Sequence, residues 1–171
     1  MGAFIAFVVF LKFFVPVLIL KSPFWGMWGN YFLDVADGDI LHFLGMGELM
    51  YQTTDKIADL WSYVFMLLLG LRFRIKKLVI ILFAYRLVGQ IIFFVSRDER
   101  IFFVFQNLLE PLLMAYTLIL LFKKSDEETY KTYRRHIVLV WVMVIAYKVW
   151  NEWYLHLANI DLSTFFFGIN G

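Results

Sequence analysis

Apolar positions along this chain fall into long runs, and the runs are cut by short charged or Pro- and Gly-containing stretches, a pattern that predicts helices. Six helices follow from it. The first covers about residues 3–20 and stops at Lys21-Ser22-Pro23, because Pro23 has no amide hydrogen with which to continue it. It lacks a basic start and a small-residue cleavage site, so it reads as a retained anchor rather than a removed signal. The second, 24–44, carries Asn30, Asp34, Asp37, Asp39 and His42 among Trp25, Trp28, Tyr31 and Phe32. A segment this polar either faces a cavity or lies at an interface. Residues 45–54 read as a connector, and a third helix begins near Asp55 and ends at the basic turn of Arg72, Arg74, Lys76 and Lys77. The fourth, 78–95, contains Arg86 and Gln90; the fifth, 101–122, is interrupted at Glu110-Pro111. Residues 123–136 read as the one long polar loop, and 137–157 as the sixth helix.

Composition supplies the solvent for these helices. Of 171 residues, 62% are hydrophobic, 20% aromatic and 18% charged, well above the apolar share of a water-soluble domain. Six spans of about 20 residues use roughly 120 positions and leave roughly 50 for loops and ends. The expected architecture is therefore all-α, one integral membrane domain over 1–171: a polytopic bundle of six transmembrane helices, or five if 24–44 is interfacial. The absence of Cys removes disulfide scaffolds and thiolate chemistry, and a net charge of +2 scattered between apolar runs argues against a nucleic-acid partner. Membrane lipid is the expected surrounding.

Charge also bears on orientation. If the helices alternate, Lys21, the 72–77 cluster and the 123–135 cluster share one face, while Lys56, Arg97 and Arg100 lie on the other. The positive-inside rule would put the basic face in the cytoplasm and the 45–54 connector outside. The neighbouring acidic residues would then face away from the cytoplasm, unless a span is misassigned or the basic clusters contact substrate.

Those acidic residues have informative spacing. Asp34 and Asp37 are three apart, Asp55 and Asp59 four apart, so each pair shares one helix face and two antiparallel helices could bring four carboxylates together. Such a group repels itself strongly in a low dielectric unless cations neutralise it. Hard divalent ions such as Mg²⁺ or Mn²⁺ suit oxygen ligands of this kind and commonly share them with substrate phosphates. A hydrated acidic loop is the plainer alternative.

The stretch Asp34-Val35-Ala36-Asp37-Gly38, followed by Asp55 and Asp59, resembles the CDP-alcohol phosphatidyltransferase family, whose pattern is D-x-x-D-G-x-x-A-R-x8-G-x3-D-x3-D. All four Asp and the first Gly match without a gap; Leu41, His42 and Tyr51 stand where the family has Ala, Arg and Gly. Lys12 and Pro16 are similar to a basic residue and a Pro in the first helix of some relatives. The resemblance implies six membrane helices with the motif on the second and third, and transfer of a phospholipid phosphoryl group from a CDP-linked lipid to an alcohol acceptor. It further implies that Asp34, Asp37 and Asp55 hold one or two Mg²⁺ or Mn²⁺ ions, that Asp59 assists them and serves as general base, and that Gly38 and His42 lie at the substrate. A homodimer is also implied. The competing expectation is a non-enzymatic membrane protein with an acidic cation-binding or transport site, or a degenerate relative.

Arg86, inside an apolar run, should face the bundle, where it would hold a substrate phosphate or pair with Glu110. Lys148 and Glu152, four apart, suggest a local ion pair. His42, His136 and His156 have no ligand spacing, and neither a Ser nucleophile elbow, a P-loop nor a dinucleotide fingerprint is present.

Overall fold

The computed structural model describes residues 2–98 and 100–156, without the side chains of Glu48 and 152–156. The described residues form eight helices and no strand: α1 (Gly2–Leu18), α2 (Pro23–Phe43), α3 (Glu48–Gly70), α4 (Lys76–Ser96), α5 (Ile101–Val104), α6 (Leu109–Lys123), α7 (Asp126–Arg135) and α8 (Ile137–His156). The all-α expectation thus holds. The Lys148–Glu152 pair and His156 involve side chains outside the described residues.

Three boundaries differ from the sequence pattern. Helix α3 starts at Glu48, so most of the expected 45–54 connector is helical. Thr53 tolerates this because its hydroxyl donates to the Leu49 carbonyl, 2.9 Å away and one turn back. The expected fifth helix is two pieces, α5 and α6, separated by 105–108, with Pro111 in the first turn of α6. There its missing amide hydrogen costs little, whereas further along a continuous helix it would break the ladder. The expected 123–136 loop is α7, whose first turn carries Asp126, Glu127 and Glu128 and whose last carries Arg134 and Arg135, both favourable to the helix dipole.

At the centre of the arrangement is α6, buried from Leu109 through Met114 and again at Tyr116 and Thr117. A helix that is apolar all round wants to be surrounded, and α2, α3, α4, α7 and α8 all touch α6. Helix α2 also packs on α1 and α3, which buries its Asn30 and Asp37, while Asp34, Asp39 and His42 stay exposed. The α1–α2 corner is tight: a Cβ added at Gly26 would fall 2.5 Å from the Ile19 Cα, so only glycine lets the two backbones meet.

Alongside the apolar core around α6, several large apolar side chains are exposed and several charged ones buried. Phe4, Phe7 and Phe10 on α1, Ile81 and Val95 on α4, and Val138 and Met143 on α8 face outward, while Lys12, Asp37, Arg86, Glu110 and Lys148 are buried. Helix α4 is long and apolar enough to cross a membrane; α1 and residues 137–151 of α8 are apolar but shorter.

Candidate functional site

Helices α1, α2 and α3 each contribute charge to one interior point. On α2, one turn separates Asp34 from Asp37; on α3, one turn separates Asp55 from Asp59. The expected face-sharing is realised, and α1 adds Lys12, 5% exposed. The Lys12 ammonium donates to Asp55 Oδ1 at 2.5 Å, pairs with Asp37, and lies 3.6 Å from Asp34 Oδ1. Lys56, on the next residue of α3, donates to Asp55 Oδ2 at 2.7 Å and lies 3.9 Å from Asp59.

Exposure is graded across the cluster. The side chain of Asp34 is 42% exposed and that of Asp37 0%, with Asp55 and Asp59 in between. The site therefore opens on the Asp34 side and closes beneath Asp37. Asp34, Asp55 and Asp59 each present an oxygen such that all three lie within 4.8 Å of one another. That is a hard-oxygen donor set from two rigid helices, suited to a small divalent cation. Asp37 is drawn instead onto Lys12. Four carboxylates set against two ammonium groups leave two negative charges uncompensated when all are ionised, which is the charge of one divalent ion.

The positions that depart from the family pattern touch one another. The rings of His42 and Tyr51 approach with centroids 4.6 Å apart, and Tyr51 crosses from α3 to α2 so that a Cβ on Gly38 would sit 2.9 Å from its hydroxyl. The bare face of Gly38 is thus covered by Tyr51. Gly38 and His42 remain together at the Asp37 end of α2, but an aromatic ring occupies the space beside them.

Arg86 lies on α4, away from the four aspartates in sequence but facing the same interior. Its guanidinium donates to the Tyr63 hydroxyl at 3.2 Å and the Phe105 carbonyl at 2.6 Å, and stacks over Phe102 at 4.1 Å. The broken segment between α5 and α6 supplies that free carbonyl. Glu110 is served by two amides, Asn30 at 3.4 Å and Asn107 at 3.2 Å, with Lys148 and Arg86 as nearby cations. Ser62 completes this second polar group by donating to Asn30 at 3.0 Å.

Sequence spacing found the aspartates but not the role of Lys56, nor the amides around Glu110. A lysine in the middle of an apolar helix was the available signal for Lys12, since a buried cation needs an acidic partner. No known protein family, no curated protein and no solved structure matches the chain.

Proposed function

We propose that the chain is a multi-pass membrane protein that holds Mg²⁺ or Mn²⁺ on Asp34, Asp55 and Asp59 and moves a phospholipid-type phosphoryl group to an alcohol, as in the CDP-alcohol phosphatidyltransferases it resembles. The convergence of those three carboxylates within 4.8 Å, from the two helices and at the spacing of the family pattern, carries this reading. Outward-facing Phe, Ile and Val on α1, α4 and α8 around a charged interior support a bilayer as the solvent.

A bound ion would neutralise charge on the donor phosphates and the leaving group. The residues divide the remaining work. Asp55 is clamped by two ammonium groups at 2.5 and 2.7 Å and is fixed in place, whereas Asp59 meets Lys56 only at 3.9 Å. Asp59 therefore has the freer oxygens with which to accept the proton of an acceptor hydroxyl. Lys12 holds Asp37 and Asp55 in register and keeps the cluster from repelling itself apart. The partially exposed Asp34 marks the side from which a lipid phosphate enters.

A second reading is a non-enzymatic cation-binding or transport protein, or a relative that has lost its donor site. The Tyr51 ring over Gly38 and against His42 favours it, because that ring fills space beside the motif. The two readings separate in one assay. Purified protein with CDP-diacylglycerol, Mn²⁺ or Mg²⁺ and a panel of alcohols should release CMP, and Asp59→Asn should not. Mn²⁺ binding without CMP release above that control selects the second reading.

A further inference from the structure

The end of the bundle remote from the aspartates carries a second charged feature. Between the α3–α4 turn and α7 lie two adjoining clefts of about 400 and 290 Å³ that share Arg74, Lys76 and Tyr130. Lys77 and Arg134 also line the smaller one. Arg74 is already committed: its backbone amide donates to Asp126 at 3.2 Å, and its guanidinium pairs with Glu127 at 3.7 Å. That tether fixes α7 against the turn, and Tyr116 reinforces it with a 2.7 Å bond to Asp126. Lys76, Lys77 and Arg134 are left exposed around the opening. Helix α4 also begins here, at Lys76, without a side-chain cap, so the positive end of its dipole adds to the same field.

The shape of the smaller cleft says which anion fits. Ile75, Leu78 and Ile137 form its less exposed, apolar lining, and close to them along α4 and α8 the side chains of Ile81 and Val138 face outward. A cationic rim beside an apolar lining matches an amphiphile whose phosphate sits at the rim and whose chains run down the helices. A free phosphate or nucleotide would leave the apolar part unused.

We propose that this cleft binds the phosphate of an anionic phospholipid headgroup, with Lys76, Lys77 and Arg134 as its contacts and the acyl chains against α4 and α8. The proposal rests on the membrane reading above and is independent of phosphoryl transfer. Lipids of this charge populate the leaflet that basic residues face.

The test is retention of dioleoylphosphatidylglycerol by the full chain in neutral detergent, read by native mass spectrometry against dioleoylphosphatidylcholine. Wild-type protein should retain the anionic lipid. Lys76→Gln, Lys77→Gln and Arg134→Gln together should lower that retention at least about tenfold. The charge-preserving set Lys76→Arg, Lys77→Arg and Arg134→Lys should retain it, which separates loss of charge from loss of fold. Lys123→Gln, Lys124→Gln and Arg135→Gln remove as many charges from the same face outside the cleft and should leave retention within about twofold. Equal losses in both Gln sets would overturn the proposal in favour of diffuse surface attraction. Displacement of the lipid by millimolar inorganic phosphate would overturn it in favour of a soluble anion. Whether the chain needs detergent to leave the membrane fraction tests the membrane reading separately.

Discussion

Lys12 of α1 donates to Asp55 of α3 across 2.5 Å, joining residues 43 positions apart in a site where both are nearly inaccessible. Neither charge is tolerable there alone, and their pairing is also what lets Asp34 and Asp37 stand one turn apart on the facing helix. Replacing Lys12 by Met keeps the volume and removes the charge. The expected loss is about 3–5 kcal/mol, a fall in Tm on the order of 10 °C. Divalent cation should restore part of it, because the same carboxylates then lack their internal counterion. Melting of Lys12→Met with Mn²⁺ and with EDTA checks this; a Tm insensitive to both would show that Lys12 has no share in neutralising the cluster.

Metal binding should stabilise the unmodified protein as well. At a hundredfold excess over Kd, an ion that binds only the folded state adds about 2.7 kcal/mol. Asp34→Asn, Asp55→Asn and Asp59→Asn should each remove most of the shift, since each takes one oxygen from the set that converges within 4.8 Å. Asp37→Asn should remove much less, because the converging set holds no Asp37 oxygen. Thermal shifts across a Mn²⁺ titration measure all four. Equal loss at Asp37 and Asp55 would mean that the ion displaces Lys12 rather than sitting beside it.

Much of this geometry is legible in the chain. The three- and four-residue spacings set Asp34 with Asp37 and Asp55 with Asp59 because helical periodicity alone decides which side chains share a face. Periodicity does not say which face meets which. That Lys12 points at Asp55, or that Asn30 and Asn107 serve Glu110 from different parts of the chain, depends on how helices cross. Helix α7 escaped a reading based on apolar runs because it is short and polar, although its acidic first turn, its basic last turn and the Glu127–Lys131 pair were present in the sequence. The break before α6 was announced by Pro111, but the use of the freed Phe105 carbonyl by Arg86 was not.

Tyr51 and His42 provide the sharpest separation of the two functional readings. Tyr51→Gly removes the ring that covers Gly38, and His42→Arg supplies the cation of the family pattern. If the chain descends from a nucleotide-using transferase, the double variant should bind CDP about tenfold more tightly than wild type, as one regained charge-assisted contact would give. Titration of CDP into the detergent-solubilised variants measures it. No gain, with the Mn²⁺ shift intact, selects a cation site without a nucleotide partner.

Side-specific labelling tests the number of crossings. Gly47 lies between α2 and α3 and Ser125 between α6 and α7, so three crossings separate them if α3, α4 and the α5–α6 unit all traverse the bilayer. Gly47→Cys and Ser125→Cys, each introduced into a chain that has no Cys of its own, should then label from opposite sides of intact cells with a membrane-impermeant maleimide. The basic residues 72–77 and 123–135 share the Ser125 face, so charge alone would make Ser125→Cys the protected, cytoplasmic position, whereas transfer from a cytoplasmic CDP-lipid requires Gly47→Cys to be the protected one. Labelling of both from the same side would require an even number of crossings and would make one of these helices a surface element. Labelling of Gly47→Cys only from outside would place the Glu48 end of α3 outside the cytoplasm. It would also make transfer from a cytoplasmic CDP-lipid untenable, while leaving metal binding by Asp34, Asp55 and Asp59 untouched.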